Sequence, residues 1–329
     1  MTDTHKLRWG VIGTGNIAHR FATDLSLSAV CELGAVGSRD AARARAFAER
    51  CGAARWFADH DELMNSPEID AIYIAVPHSA HHELAARAIE TGKPVLVEKP
   101  FTINQQQADD LIGRARDKGS ILMEAMWTRF LPHMVRVREL LAEQYLGELR
   151  LVTAEHGVWF AHNTAHRMFD PHLGGGALLD LGVYPISFAS MVLGSPATVV
   201  ASSQFGDTGV DGQTAVTFGY SDGRQAVVNA SMQTWLSNRA TIAGTDARID
   251  FDPTWYRPTS FTVTRRDGRT ERFEFPVEGF GLRFQAEEIA RLVREGRTDS
   301  DIMPLAESSA IMGTMDEVRR QIGLSYPGE

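Results

Sequence analysis

The 329-residue sequence predicts an α/β domain with a parallel, doubly wound sheet, followed by an α+β domain with a large, mostly antiparallel open sheet. Short apolar strands alternate strictly with helical segments up to about residue 124, which is typical of parallel sheets. After about residue 125, turn signals separate eight strand-like segments, which indicates hairpins. The predicted domains are therefore residues 1–124 and 125–329, with late helices that can pack back on the first domain.

Composition excludes several classes of protein. Hydrophobic residues make up 43% and charged residues 23%, as is ordinary for a soluble globular protein. The net charge of -9 argues against a nucleic-acid partner. Cys31 and Cys51 form no C-x-x-C pair, so neither a disulfide framework nor a zinc knuckle is indicated. A polar start and the lack of a long apolar run predict no signal peptide and no membrane span, and hence a cytoplasmic protein.

The elements of the first domain follow from its apolar runs and helix signals. The fingerprint turn opens a helix that is predicted to run through about Ser26, and Asn104 is predicted to cap the last helix of the domain. The predicted strands are 7–12, 32–37, 69–76, 94–97 and 120–123, and the later helices are 40–50, 81–91 and 104–118.

The second domain begins with a helix over 132–144 that has Pro132 at its start. Turn signals at Asp211-Gly212, Ser221-Asp222-Gly223 and Asp267-Gly268 predict hairpins. A helix carrying Asp180 interrupts the strands, and helices over Phe284–Glu295 and Pro304–Ile322 close the chain. The predicted strands are 149–159, 197–206, 213–220, 224–234, 239–243, 247–251, 260–265 and 270–275.

Gly13, Gly15 and Ala18 form a G-x-G-x-x-A fingerprint between a predicted strand and a predicted helix. The first glycine permits a tight turn, the second lets the backbone approach a pyrophosphate, and the alanine permits close packing. The N–H groups at this helix start, including those of Asn16 and Ile17, are predicted to bind the phosphates. A glycine turn in another α/β protein is the alternative, but the context favours a dinucleotide-binding Rossmann domain.

The residues after the second strand bear on which nicotinamide cofactor binds. Glu32 has the spacing of an acid that bonds a ribose 2′-OH, but it lies at the wrong end of its strand. Ser38 and Arg39 stand at the carboxyl end, where a guanidinium suits a 2′-phosphate. We therefore expect NADP, while the nearby Asp40 keeps NAD possible.

The segment after the third strand is predicted to line the cofactor rather than to bind a metal. Ser79 is predicted to cap a helix there, and His82 would be the third member of a histidine cluster. His162 and His166 have i, i+4 spacing but lack the acid of a zinc-binding helix motif. No catalytic metal is therefore expected. The predicted cofactor residues of this segment are Ala75, Pro77, His78 and His81.

The candidate catalytic residues are Lys99, Asp180 and Tyr184. Lys99 lies in Glu98-Lys99-Pro100 at the end of a central strand, where Glu98 and Lys99 are also predicted to contact the cofactor and the proline bond is a candidate for the cis form. Asp180 and Tyr184 are one helical turn apart, after the glycine run 174–176. A surface acid and a core phenol are the alternatives for this pair.

Oxidising a hydroxyl to a carbonyl requires a base while hydride leaves for the nicotinamide. A phenol has a free pKa near 10, and lowering it to about 7 takes about 4 kcal/mol of preferential phenolate stabilisation. A lysine ammonium nearby can supply much of this free energy in a dry site. We therefore expect Tyr184 to be the acid/base, Lys99 its electrostatic partner and a substrate donor, and Asp180 the group that orients the substrate hydroxyl or Lys99.

Aromatic and arginine side chains complete the predicted site. Aromatic faces suit the C–H surfaces of cyclic substrates, although core packing is the more common role of any single aromatic residue. Arg129 and Arg167 are predicted to touch cofactor phosphate or substrate hydroxyls, with solvated ion pairs as the alternative. The predicted aromatic pocket residues are Trp127, which also touches the cofactor, Phe160, Trp255 and Phe280.

Three motifs in this order resemble the glucose-fructose oxidoreductase / inositol dehydrogenase / rhizopine catabolism family over essentially the whole chain. They are Gly13-x-Gly15-x-x-Ala18, Glu98-Lys99-Pro100 and Gly174-Gly175-Gly176-x-x-x-Asp180-x-Gly182-x-Tyr184. The stretch 243–249 also resembles a conserved sheet turn of the family. Most members carry histidine at the position of Tyr184. Tyrosine there, with the stretch 123–130, resembles the branch of dimeric dihydrodiol dehydrogenases and NADP-dependent D-xylose dehydrogenases.

The resemblance implies an NADP-dependent oxidoreductase that acts on a cyclic polyol, either an aldose at C1 or a trans-dihydrodiol. Reduction of a keto- or anhydro-sugar and inositol oxidation are alternative reactions. A non-catalytic dinucleotide-sensing regulator is the alternative of another class, but Lys99, Asp180 and Tyr184 are all present. The second domain is predicted to bind the substrate, and the open face of its sheet is predicted to form a homodimer or higher homo-oligomer.

Overall fold

The computed structural model describes residues 6–329, which form two compact units. The first unit comprises the described residues up to Thr102, Gln106–Phe130 and Val277–Ser308. The second comprises Ile103–Gln105, Leu131–Pro276 and Ser309–Glu329. The sequence-based division at residue 124 stays a prediction.

The first unit contains a six-stranded, wholly parallel sheet in the order β3-β2-β1-β4-β5-β6. This order is that of a doubly wound dinucleotide-binding sheet, so the predicted fold class is confirmed. The sequence-based prediction missed β3, which has only three residues and lies at the sheet edge. The strands are β1 (Leu7–Ile12), β2 (Cys31–Gly37), β3 (Arg55–Phe57), β4 (Ala71–Ile74), β5 (Val95–Glu98) and β6 (Leu122–Ala125).

The helices of the first unit connect these strands. The Asp40 carboxylate caps α2 by accepting from the Arg43 N–H at 3.1 Å, and Gly52 ends that helix with a left-handed φ of 73°. The one-turn helix α3 was not predicted, because five residues give no readable periodicity. The helices are α1 (Asn16–Leu25), α2 (Ala41–Cys51), α3 (His60–Met64), α4 (His81–Glu90), α5 (Gln105–Lys118, which begins in the second unit) and, after the second sheet, α8 (Arg283–Glu295).

The second unit contains an eight-stranded sheet in the order β14-β13-β12-β11-β7-β10-β9-β8. Only the β7–β10 pair is parallel, and the other pairs are antiparallel, as predicted. The strands are β7 (Leu149–Gly157), β8 (Thr198–Phe205), β9 (Asp211–Gly219), β10 (Gln225–Ser231), β11 (Ala240–Gly244), β12 (Ala247–Phe251), β13 (Phe261–Arg265) and β14 (Thr270–Phe273).

The prediction of a turn at Asp211-Gly212 was wrong. Asp211 is fully buried and begins β9, because its carboxylate accepts hydrogen bonds from other parts of the unit. The chain reverses earlier, where the Gly206 N–H donates to the Val210 carbonyl at 2.8 Å. An Asp-Gly pair looks the same in the sequence whether it forms a turn or whether its aspartate is buried and caps a remote segment.

Three helices belong wholly or mostly to the second unit: α6 (Pro132–Ala142), α7 (Val183–Leu193) and α9 (Leu305–Ile322), which the unit boundary crosses after Ser308. One helical stretch among the described residues, Pro171–Leu193, is long and apolar enough to cross a membrane by length and composition. However, 89% of its most apolar window is buried inside the protein, and the core helix of a soluble protein passes the same test. The cytoplasmic location stays a prediction.

Glu124 is a fully buried carboxyl group of the first unit. Its Oε1 accepts from the Phe101 N–H at 3.1 Å, and its Oε2 accepts from the Ser308 hydroxyl at 2.8 Å. Burial raises the pKa of Glu124 to about 7, against the opposing effects of the Ser308 hydrogen bond and the Arg129 charge. A carboxyl group whose folded pKa lies above its unfolded pKa reduces stability progressively as the pH rises between the two values.

Glu124→Gln should therefore gain stability relative to the wild type as the pH rises from about 5 to about 8. The glutamine can keep both contacts, because its oxygen accepts from Phe101 and its amide donates to Ser308. Thermal unfolding at several pH values measures the difference, with Glu49→Gln, an exposed partner of Arg45, as the control. A difference that is independent of pH, or that shrinks as the pH rises, would contradict the prediction.

Candidate active site

The carboxyl ends of the parallel strands bring the predicted cofactor residues of the first unit to one edge of its sheet. Gly13 follows β1, Arg39 follows β2, His78 follows β4 and Lys99 follows β5. The order reverses between β1 and β4, which is the topological switch point where dinucleotides bind in such sheets. The sequence-predicted residues thus come together where the fold places a cofactor.

The fingerprint turn has the shape that a pyrophosphate requires. Gly13 has a φ of +111°, and a Cβ there would lie 2.2 Å from the carbonyl oxygen of Ala75. A Cβ on Gly15 would meet nothing within 4 Å, so this side of the turn is open. No side chain caps α1, and its first turn holds no acid. Its first N–H groups, at Asn16 and Ile17, therefore suit a phosphate.

The end of β2 is basic. Arg39 is exposed and Ser38 is half-buried, whereas Asp40 is engaged as the cap of α2. The positive charge of Arg39 also lowers the pKa of His60, after the larger effect of burial. The Asp40 carboxylate already accepts from the Arg43 N–H and pairs with the Arg43 guanidinium. The end of β2 therefore favours an anionic group of the cofactor over a ribose hydroxyl.

His81 is a structural element of this edge and is fully buried. Its Nδ1 lies 2.9 Å from the Pro100 carbonyl oxygen and its Nε2 lies 3.0 Å from that of Val76. Burial lowers the pKa of His81 to about 3. His81 thus ties the segment after β4 to the segment after β5, and the buried His78 ring packs edge-on against it at 5.7 Å between centroids.

The end of β5 holds Lys99 in a constrained backbone. Glu98 is buried, accepts from the Tyr73 hydroxyl, and accepts from the Lys99 N–H at 3.2 Å. The Lys99–Pro100 peptide bond is cis. Lys99 itself is half-buried.

The other predicted residues of the first unit have mixed environments. Trp127 is 6% exposed and follows β6. Arg129 is buried, and its guanidinium pairs with Glu307 at 2.7 and 3.2 Å, where the Glu307 side chain is 24% exposed. Phe280 is 38% exposed and lies under the Arg20 guanidinium at 4.8 Å. Asp24 fixes the Phe280 loop by accepting from its N–H at 2.9 Å.

In the second unit, Asp180 and Tyr184 lie where a glycine turn enters a helix. The stretch Leu178–Gly182 is a wide π turn that continues into α7, rather than the plain α-helix that was predicted. Pro185 offers a reason, because it lacks the N–H that the Leu181 carbonyl would accept in an α-helix. Such turns are frequent at functional sites.

Asp180 has a partner that the sequence-based prediction did not assign. The buried Asp180 carboxylate accepts from Arg167 Nη2 at 3.1 Å, and the Arg167 side chain is 43% exposed. The structure thus brings together two residues that were predicted separately. An exposed guanidinium beside a buried carboxylate can both orient that carboxylate and offer further donors to a ligand.

Tyr184 is 7% exposed and packs among aromatic rings. The His156 ring meets it edge-on with 4.9 Å between centroids, and the Tyr256 ring lies 5.4 Å away. The His156 and Tyr256 rings pack against each other in a tilted arrangement, with 3.8 Å between centroids. Neither neighbour was predicted, because His156 lies on β7 and Tyr256 lies in the loop after β12.

Trp255 and Phe160 differ in their suitability as pocket walls. Trp255 is fully buried, packs on Phe188 at 4.8 Å, and donates from Nε1 to the Glu155 carbonyl at 2.9 Å, so its role is in the core. Phe160 is half-buried and packs against the hydrophobic cluster that supports the glycine turn. The buried members of that cluster are Met168, Phe169, Ala177, Leu181, Val210, Ala230 and Met232.

Among residues 6–329, no group of three or more histidine, cysteine, aspartate or glutamate side chains is arranged to hold a metal ion. Two of the histidines weighed as metal ligands have carboxylate partners instead. His82 Nε2 lies 2.8 Å from Asp110 Oδ2, and His162 Nε2 lies 3.1 Å from Asp207 Oδ1.

The parallel sheet and its fingerprint turn define the class: residues 7–126 match the oxidoreductase family with an NAD-binding Rossmann fold. Residues 134–250 match the GFO/IDH/MocA C-terminal domain. The chain therefore belongs to the GFO/IDH/MocA family of glucose-fructose oxidoreductase and inositol dehydrogenase relatives, as its motifs predicted, and it is an NAD(P)-dependent oxidoreductase.

The chain is similar over its whole length to several characterised proteins. It is 34% identical to trans-1,2-dihydrobenzene-1,2-diol dehydrogenase of Xenopus tropicalis, over 97% of this chain and 99% of that protein. It is also 34% identical to the NADP-dependent D-xylose 1-dehydrogenase of Hypocrea jecorina, over 99% and 94%. A 3-ketoreductase from Actinomadura kijaniata, solved with NADP and TDP-benzene, has a TM-score of 0.86 at 28% identity, over 97% and 98%.

Proposed function

We propose that this enzyme transfers hydride between NADP and a ring CH–OH group of a cyclic polyol, with Tyr184 as the proton donor and acceptor. The observation that carries the proposal is the placement of Tyr184. It lies one turn after a buried, arginine-paired Asp180, on a helix entered through a glycine turn. Its low exposure favours a strong response of the phenol pKa to a nearby positive charge.

The residues at the sheet edge of the first unit would hold the cofactor. The N–H groups of Asn16 and Ile17 would bind its pyrophosphate, and Arg39 with Ser38 would bind a 2′-phosphate. The bound nicotinamide supplies the hydride acceptor or donor. Ala75, Pro77 and His78 would line it, and Lys99 would donate a hydrogen bond to the reacting oxygen and lower the pKa of Tyr184. The place of Lys99 beside Tyr184 stays a prediction.

Arg39→Ala should weaken NADP binding by about tenfold or more, because a charge-assisted pair with the 2′-phosphate is lost, and should leave NAD binding nearly unchanged. Fluorescence titration with NADPH and NADH measures both affinities. Arg45→Ala removes an exposed arginine that pairs with Glu49 on the same helix and serves as the control. An equal loss for both cofactors would refute the role of Arg39.

The substrate class follows from the chemistry that the site requires and from the relatives. Phe280 in the first unit has an exposed aromatic face, and Phe160 in the second unit is half-buried. Aromatic surface of this kind suits sugar rings and cyclohexadiene diols alike. An aldose at C1 and a trans-dihydrodiol are the two preferred substrates. The similarity to a 3-ketoreductase favours reduction of a keto-sugar as the second candidate. A dinucleotide-sensing regulator would need none of the three catalytic residues.

Lys99→Met and Tyr184→Phe should each abolish turnover, while NADP binding stays within about twofold of the wild type, since neither change touches the fingerprint turn. The assay is a panel of D-xylose, other aldoses, inositols and trans-1,2-dihydrobenzene-1,2-diol, each with NAD and with NADP. Fluorescence titration reports cofactor binding separately. Unchanged turnover in both variants would contradict the mechanism. A wild type that is inactive on the whole panel would favour the alternative functions, which are reduction of a keto-sugar and non-catalytic dinucleotide sensing.

We also propose that the open face of the eight-stranded sheet joins two copies of the chain. Val200 on β8 is 67% exposed and Val227 on β10 is 37% exposed, and both lie opposite Thr217 of β9. A dimeric wild type and a more monomeric Val200→Glu are expected in size-exclusion chromatography with light scattering. Val293→Glu on α8 is the control, since it replaces another exposed valine. A monomeric wild type would contradict the proposal.

A further inference from the structure

The turn that leads into Asp180 is held by two side chains that the proposed mechanism does not use. Asp211 Oδ2 accepts from the Leu178 N–H at 2.7 Å. The Tyr326 hydroxyl donates to the Gly175 carbonyl oxygen at 2.9 Å. All of these residues belong to the second unit, and both Asp211 and Tyr326 are buried.

Gly175 and Gly176 leave no room for a side chain. A Cβ on Gly175 would lie 2.7 to 2.8 Å from the carbonyl oxygens of residues 167, 168 and 170. A Cβ on Gly176 would lie 2.2 Å from Asp211 Oδ1, and Gly176 also has a φ of +111°. Since the turn is enclosed by backbone and by Asp211, it cannot shift without moving them.

Tyr326 is itself fixed. Its N–H donates to Glu329 Oε2 at 2.8 Å, and Glu329 forms an ion pair with Arg319. The Arg319 guanidinium lies 4.8 Å from the centre of the Tyr326 ring and donates to the Ile103 carbonyl at 2.9 Å. The hydroxyl therefore reaches Gly175 from a residue whose backbone N–H and ring face both have partners.

Asp211 is held in place by a residue of its own strand, β9. The Thr214 hydroxyl donates to Asp211 Oδ2 at 2.8 Å and lies 3.0 Å from the Ser203 hydroxyl on β8. The carboxylate thus links β9 to the backbone N–H of Leu178, the first residue of the π turn.

We propose that Asp211 and Tyr326 are positioning residues for hydride transfer: they clamp the Gly174–Gly176 turn and thereby set the places of Asp180 and Tyr184. The inference rests on the proposed roles of Asp180 and Tyr184. A misplacement of reacting groups by about 1 Å can slow an enzyme by about a hundredfold, so a loosened clamp affects kcat before it affects folding. A purely structural pair would instead change stability alone.

Tyr326→Phe removes only the hydroxyl that bonds Gly175. We expect kcat to fall about tenfold, with the KM for NADP unchanged, because one hydrogen bond that orders the turn is lost. The substrate is D-xylose or trans-1,2-dihydrobenzene-1,2-diol, whichever the wild type turns over faster. Tyr220→Phe is the matched control: the buried Tyr220 hydroxyl has no hydrogen-bond partner among the described residues, and its loss should leave kcat unchanged.

The Asp211 side of the clamp gives a second, conservative test. Thr214→Val removes the donor to Asp211 and should lower kcat by about fivefold, whereas Thr214→Ser keeps the hydroxyl and should retain wild-type kcat. Melting temperatures measured in parallel show whether each variant is folded at the assay temperature. If Tyr326→Phe does not fold, the two Thr214 variants test whether the clamp affects kcat.

The outcomes separate this inference from the proposed function. If Tyr184→Phe is inactive while Tyr326→Phe and Thr214→Val keep kcat within about twofold of the wild type, the clamp is refuted and the mechanism stands. If Tyr184→Phe itself is fully active, the proposed function fails. Equal losses of kcat in Thr214→Ser and Thr214→Val would also overturn the clamp, because the hydroxyl would then not matter.

Discussion

The second unit depends on a turn that has room for no side chain. Gly175 lies against three backbone carbonyl oxygens and Gly176 lies against Asp211, so the chain between residues 170 and 178 has one path. That path places the π turn, and the π turn places Asp180 and Tyr184 at the start of α7. The hydrophobic cluster below the turn and the Tyr326 hydroxyl beside it keep that path fixed.

The first unit follows a simpler rule, and most of it was predictable. Parallel strands end at one edge, so motifs that follow successive strands must meet there. The positions of Gly13, Arg39, His78 and Lys99 could therefore be predicted from apolar runs and turn residues alone. The missed elements, Arg55–Phe57 and His60–Met64, are too short to show a period.

The unpredicted features of the site depend on contacts between residues far apart in sequence. The arginine partner of Asp180 lies on another segment, and the rings against Tyr184 come from β7 and from the loop after β12. Trp255 was predicted as a pocket wall, but its indole donates to the backbone inside the core. Asp211 has the local sequence of a turn and the function of a remote cap. No local pattern encodes such pairings.

The central claim is that the phenol of Tyr184 carries the proton of the reaction. Tyr184→His offers a base of a different pKa in the same place. The direct measurement is the pH dependence of kcat for the wild type and for Tyr184→His. Since a free imidazole titrates near pH 6.5 and a free phenol near 10, the inflection should move to lower pH in an active variant. An active variant with the wild-type inflection would show that another group carries the proton.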